Sequence, residues 1–223
     1  MKKILILVSI FALVLPSALC LSQDEEEINE SRFELGLFFG FKGGVNGNYI
    51  PEGRKNAFGF NAVPDFGARA MFPLEESAKL SMSFDLSYST YMYGVKNYYN
   101  NDFYTHKYGY IAFSPMFHFY EAFVGFNFGI PVNADFGEKI KTDYINTLAE
   151  FRMGAEFTVL GDAEGKVNVF AIAGYTLNGV YTDFSKHDPL LEIIPPESGQ
   201  TITNKFNPRP LTLTIGLSYM FAL

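Results

Sequence analysis

Leu80-Ser81-Met82-Ser83-Phe84-Asp85-Leu86-Ser87-Tyr88-Ser89 is the stretch that decides the fold. Leu80, Met82, Phe84, Leu86 and Tyr88 share one face of an extended chain, and Ser81, Ser83, Asp85, Ser87 and Ser89 share the other. That is a period of two, the pattern of a half-buried strand. The same alternation closes the chain, with Leu211, Leu213, Ile215, Leu217, Tyr219 and Phe221 against Thr212, Thr214, Gly216, Ser218 and Met220. It recurs in 33–42, where Phe33, Leu35, Leu37, Phe39 and Phe41 alternate with Glu34, Gly36, Phe38, Gly40 and Lys42. Five further segments, at about 64–72, 108–119, 122–131, 148–158 and 167–177, bring the count to eight. Two of them carry irregularities. Phe170 and Ile172 fall on the polar side of the seventh, and Pro115 predicts a bulge in the fourth.

Connections alternate in length. Tight links run from Pro73 to Ala78, through Tyr120-Glu121, and from Leu160 to Gly165; the others are long and polar, the longest from Asn178 to about Arg209. Short turns at one end, long loops at the other and an even strand count predict an all-β fold, an eight-stranded antiparallel up-and-down barrel.

Two such barrels have opposite insides. A lipocalin-type barrel keeps an apolar cavity within, whereas a transmembrane barrel turns its apolar side to lipid. The eight apolar faces hold no charged residue, while the opposite faces hold Glu34, Lys42, Asp65, Arg69, Asp85, Glu150, Arg152 and Glu156 among many Ser, Thr and Gly. Small residues suit a crowded interior and bulky ones an exterior. Segments of about ten residues also match the ~9–11 of a tilted transmembrane strand. The prediction is therefore a transmembrane barrel with a side-chain-filled polar interior, in which three bases and five acids form an ion-pair network. Interfacial girdles are assigned to Tyr88, Tyr91, Tyr93, Tyr108 and Tyr110 near the long loops, and to Phe33, Phe72, Phe119, Phe157, Tyr219 and Phe221 near the turns.

The first twenty of the 223 residues read as a signal peptide: Lys2-Lys3, an apolar run from Ile4 to Leu15, and Ala18 and Cys20 before a cut at Leu21. The alternative reading makes Cys20 a lipid-bearing first residue. Residues 21–31, with Asp24 to Glu27 and Glu30, read as an acidic periplasmic tail, which leaves 32–221 as the barrel. Loss of Lys2 and Lys3 would take the formal charge from −7 to −9, which argues against nucleic acid as a partner.

The last strand carries a resemblance. Gly216, Leu217, Tyr219 and Phe221 are similar to the C-terminal assembly signal of bacterial outer-membrane barrels, which implies the barrel-assembly machinery as a partner. The mature chain resembles the small outer-membrane β-barrel proteins of the opacity, OmpA-barrel and PorT-like kind. The resemblance implies an outer-membrane address and outer-membrane lipid as surroundings. It departs from the pattern at the end, where Ala222-Leu223 follow the terminal aromatic, and no periplasmic domain is implied.

Chemistry-bearing motifs are sparse. His106, His118 and His187 have no metal-ligand spacing, and GxSxG, HExxH, P-loop and dinucleotide fingerprints are missing from the sequence. No cofactor or metal is expected. Ser114 and His118 share a strand face but lie about 13 Å apart by strand rise, beyond hydrogen-bond reach. The expectation is a non-enzymatic outer-membrane protein with a structural or surface-interaction role, its extracellular ligand held by long loops. Leu190, Leu191, Ile193 and Ile194 of the fourth loop are the candidate contact, either packed over the barrel mouth or offered to a partner. The alternatives are a lipid-modifying enzyme, disfavoured because the outward faces hold neither Ser nor His, and a narrow small-solute channel.

Overall fold

The computed structural model describes residues 32–48, 50, 54–75, 79–97, 101–135, 139, 141–162, 164–182 and 207–223. The segment Ser31–Leu223 is one compact unit. The signal peptide, the acidic tail and Leu190, Leu191, Ile193 and Ile194 lie outside the described residues.

Among the described residues ten strands follow one another: β1 (Glu34–Asn46), β2 (Arg54–Ala57), β3 (Gly59–Phe60), β4 (Asp65–Pro73), β5 (Leu80–Asn97), β6 (Phe103–Phe119), β7 (Ala122–Asp135), β8 (Leu148–Gly161), β9 (Gly165–Thr176) and β10 (Pro210–Ala222). Each pairs antiparallel with its neighbours, and β10 pairs along the whole of β1, so the sheet closes on itself. Eight staves result, because β2, β3 and β4 make one interrupted stave. β4 pairs with both β1 and β5, β3 continues the pairing to β1, and β2 continues it to β5. The interruption at Asn61–Pro64 is where Pro64 precludes a ladder donor.

Burial follows the predicted parity. On β5 every odd residue from Ser81 to Ser89 is buried while the even ones are half-buried or exposed, and β10 repeats the pattern from Thr212 to Met220. Outside, Leu35, Leu37, Phe39, Phe41, Phe113, Phe126, Phe128, Leu213, Ile215 and Leu217 belong to an exposed apolar belt that runs round the staves. Water tolerates single exposed apolar side chains but not a belt of this extent, and a closed barrel leaves no backbone group unpaired towards hydrocarbon. The architecture is that of a transmembrane barrel.

The structure corrects the sequence reading in four places. Strands near the long loops run further than expected, β5 to 18 residues and β6 to 17. Pro115 makes no register shift: Phe113↔Phe128 and Met116↔Gly125 lie in one register, and its missing donor merely interrupts the ladder towards β7. Bulges occur instead at Gly109/Tyr110 and Thr158/Leu160. Tyr91, Tyr93, Tyr108 and Tyr110 do not belong to a girdle, since all four point inward and are buried; Tyr88 alone of that group faces outward, where its hydroxyl accepts a hydrogen bond from Asn133 Nδ2 at 2.7 Å. Finally, Phe170 and Ile172 do point inward, packed with Phe38, Met116 and Phe123, so part of the interior is apolar.

Two details fix the turn end and the seam. Asp162 Oδ1 accepts the N–H groups of Glu164 and Gly165 at 2.9 and 3.0 Å, which closes the β8–β9 turn and holds the Asp162 carboxyl below its ordinary pKa. At the β1–β10 seam Gly216 faces inward, and a Cβ there would collide with the Phe39 carbonyl oxygen and the Phe170 ring. Gly216→Val is therefore expected to lower stability by about 1–3 kcal/mol or more through overpacking. The midpoint of urea unfolding in detergent is the measurement that checks it.

Candidate functional site: the filled lumen and the barrel mouth

Serine, threonine and charged residues alternate into a bore only wide enough for its own side chains, so each must find a partner inside. Seven charged residues do so in two clusters. In the first, Lys42 Nζ lies 2.6 Å from Asp65 Oδ2 and 2.8 Å from Ser89 Oγ, above the Tyr91 ring at 3.9 Å from its centroid. Asp65 Oδ1 also accepts the Thr90 N–H and hydroxyl, both at 2.7 Å. Beside them Arg152 Nε donates to Glu150 Oε2 at 2.7 Å, and Tyr91 Oη donates to the same oxygen at 2.5 Å. Asn127 Nδ2 and Thr212 Oγ1 complete the Glu150 shell, while the Arg152 fork reaches Ser114 and Ser89.

The second cluster centres on Arg69. Its Nε and Nη2 grip Asp85 Oδ1 and Oδ2 at 2.7 and 2.9 Å, a bidentate fork, and its Nη1 donates to Glu156. Asn168 and Ser218 donate to the other Glu156 oxygen at 2.8 and 2.7 Å. The guanidinium also lies 5.4 Å from the Phe38 ring centroid.

Seven of the eight residues expected in the network thus meet one another as ion pairs. Glu34 does not join them: it sits at the turn end of the barrel and pairs with Lys166 at 2.7 Å, a base that the sequence reading omits because Lys166 lies one residue from a turn glycine. The register also differs. A turn centred near Glu76 places Arg69 opposite Ser83, whereas the structure sets it directly opposite Asp85. The surplus of acid is met by neutral donors, Tyr91, Asn127 and Thr212 on Glu150 and Asn168 and Ser218 on Glu156.

A Ser–His contact is present that spacing along one strand does not reveal. Ser83 Oγ and His118 Nε2 lie 2.7 Å apart across β5 and β6, whereas Ser114, the partner considered from sequence, is bound to Asn127 and Arg152. Ser83 is wholly buried and His118 nearly so, which closes the pair to any substrate. Among the described residues no cluster of His, Cys, Asp and Glu could hold a metal ion.

The mouth is closed by chain. Tyr181 drops into a box of Tyr93, Tyr108, Tyr110, Ile145 and Leu148, its hydroxyl 3.3 Å from that of Tyr108 and 3.4 Å from His106 Nδ1. Two asparagines strap it there. Asn146 Nδ2 donates to the carbonyls of Gly179 and Tyr181, and Asn207 both accepts the Tyr181 N–H and donates to its carbonyl. The residues that begin and follow the longest loop are therefore pinned side by side over the bore. Asn207→Ala is expected to loosen this neck by about 1–3 kcal/mol, the cost of two lost hydrogen bonds on a half-buried backbone; faster amide exchange at Tyr181, with the strands unchanged, is the readout.

Gly216, Leu217, Tyr219 and Phe221, the residues expected to form an assembly signal, all lie on β10. Leu217, Tyr219 and Phe221 face outward, and the Tyr219 and Phe221 rings meet edge to face at 4.6 Å.

No family model and no curated protein sequence matches the chain. Among solved structures, it is similar to outer membrane protein AlkL in DMPC lipid bilayers, at 13% identity and a TM-score of 0.42 over 91% of this chain and 96% of that one. The translocator domain of the autotransporter NalP from Neisseria meningitidis gives 8% identity and 0.34, covering 97% of each chain. The outer membrane protease OmpT from Escherichia coli gives 8% and 0.30, over 91% of this chain and all of that one. These scores are low, and the barrel stands on its own ladder of paired strands.

Proposed function

We propose that the chain is a non-enzymatic outer-membrane barrel, a sealed scaffold whose long loops carry a structural or surface-interaction role. The observation behind this reading is the filled bore: ion-paired side chains occupy its middle and Tyr181 corks its mouth. A channel needs a continuous water path, and a hydrolase needs a reachable nucleophile; Ser83 is reachable from neither side. Outer-membrane lipid surrounds the belt, the barrel-assembly machinery engages the last strand, and the signal peptide is removed before Leu21 on export.

Four measurements test this. The purified protein runs as a heat-modifiable band in detergent gels, and planar bilayers containing it carry no steady conductance. Replacing residues 183–206 by a short linker leaves the heat-modifiable band and abolishes attachment of expressing cells to their target surface. A steady conductance from the wild type would sink the sealed-scaffold reading and favour the channel. Intact mass showing an acylated Cys20 would overturn the cleavage site but leave the barrel standing.

A further inference from the structure

Asparagine followed by glycine occurs twice in the chain, at Asn46-Gly47 and at Asn178-Gly179, and the fold holds the two pairs in opposite ways. Such a pair is chemically weak, because a glycine without a Cβ leaves its nitrogen able to reach the side-chain carbon of the asparagine before it. The reaction needs a glycine N–H that is not engaged, a carboxamide near water and a backbone free to turn.

Asn46-Gly47 meets none of these conditions. Asn46 ends β1, is 2% exposed and pairs with Pro210 of β10. The Gly47 N–H donates to the Arg209 carbonyl at 2.8 Å. Asn46 Oδ1 accepts the N–H groups of Asn48 and Arg209 at 3.1 and 3.0 Å, so the carboxamide is fixed as well.

Asn178-Gly179 lies past the end of β9, outside the ladder. The Gly179 N–H donates to no acceptor among the described residues, although the Gly179 carbonyl accepts from Asn146 Nδ2 at 2.8 Å. Asn178 is half-buried, follows the exposed Leu177 and donates through Nδ2 to the carbonyl of Thr147, itself exposed. Its Oδ1 accepts the Ala149 N–H at 3.2 Å. That bond stabilises the negative charge that grows on Oδ1 as a nucleophile adds to Cγ.

We propose that Asn178 is a deamidation site, converted to aspartate and isoaspartate through attack by the Gly179 nitrogen on Asn178 Cγ, and that the conversion loosens the barrel mouth. The Gly179 proton passes to hydroxide, the new N–Cγ bond forms, and the Cγ–Nδ2 bond breaks to release ammonia and leave a five-membered succinimide. Water then adds to one of its two carbonyls and opens the ring, with no change of oxidation state. Aspartate sets a carboxylate oxygen against the Thr147 carbonyl where Nδ2 had donated. Isoaspartate inserts a methylene into the main chain ahead of Gly179. No room exists for that shift, since even a Cβ on Gly179 would lie 2.0 Å from Asn207 Cγ. Asn207 and Asn146 are the two straps on Tyr181, so the displacement is passed to the cork.

The full chain, folded in detergent or unfolded in urea, is aged in warm, mildly alkaline buffer. Peptide mapping with electron-transfer fragmentation then counts aspartate and isoaspartate at each asparagine. In the folded barrel Asn178 is expected to convert several-fold faster than Asn46, and in urea the two are expected to convert at similar rates. Amide exchange at Tyr181 is expected to quicken in the aged wild type and to stay unchanged in aged Asn178→Gln, whose longer side chain closes a ring far more slowly. Conversion of Asn46 as fast as Asn178 in the folded barrel overturns the proposal. So does an Asn178 that stays intact in the folded barrel while the unfolded chain converts. A converted wild type whose Tyr181 exchanges as in fresh protein overturns the link to the mouth. The comparison of two sites within one wild-type chain depends on no variant that must fold.

Discussion

Arg69→Ala is expected to destabilise the barrel by about 3–5 kcal/mol, the cost of stripping the partner from a buried charge. Arg69 and Asp85 are each 1% exposed, and the fork between them is bidentate. Alanine leaves Asp85 without its cation in a bore too narrow to rehydrate it freely, while Glu156 keeps Asn168 and Ser218. The damage therefore concentrates on Asp85. Removing both partners, as in Arg69→Met/Asp85→Leu, is expected to recover most of the loss, because an apolar pair of similar volume substitutes well for a buried ion pair. Arg69→Lys is expected to recover little, since an ammonium cannot grip two carboxylate oxygens and reach Glu156 as well. Urea midpoints in detergent check the series, and added salt should shift them little because the pair is shielded from counterions. A single variant as stable as the wild type would mean that water fills the space, and with it the sealed-bore reading would fall.

How far the sequence carries this molecule depends on where period two is allowed to stop. The parity set by Ser81 to Ser89 continues without a break to Tyr91, Tyr93 and Val95, and that set by Ser114 and His118 runs back to Tyr110 and Tyr108. Ending β5 at Ser89 detaches those tyrosines from their face and invites a girdle; continuing the parity sends them into the mouth, where they are. Aromatic composition argues for an interface, but alternation is the stronger signal because the backbone enforces it. Phe170 and Ile172 show the converse. Parity places them inside, and the apparent conflict with a polar lumen is resolved by apolar partners on three other strands. Pairing across strands was less legible. A two-position difference in the β4–β5 turn moves Arg69 from Ser83 to Asp85, and Ser83 meets His118 only once β5 and β6 are set in register. Nothing local in the sequence reports on Tyr181, whose role depends on asparagines 35 residues before it and 26 after it.

Ile215→Arg is expected to cost about 2–4 kcal/mol in a bilayer, the penalty for a cation at mid-membrane on the lipid face of a barrel. Ile215 sits at the middle of β10, 56% exposed, between Phe41 of β1 and Ala171 of β9, both of which point the same way. From that depth an arginine must thin the membrane or draw water in before its charge reaches the headgroups. The strand also closes the barrel against β1, so the penalty falls on the seam that must form for the backbone to be satisfied. Phe84→Arg on β5 has the same sign, although Phe84 is half-buried between the rings of Phe72 and Phe113 and loses packing as well. Ser83→Arg, one residue away, isolates the cause. It points into the bore against His118 with no exposed surface, so it fails by crowding in detergent and bilayer alike. Ile215→Arg should instead be tolerated better in a micelle, which deforms readily, than in a thick bilayer. If Ile215→Arg folded in bilayers with wild-type stability, the outward belt would not be facing hydrocarbon, and the inside and outside of the barrel would have to be exchanged.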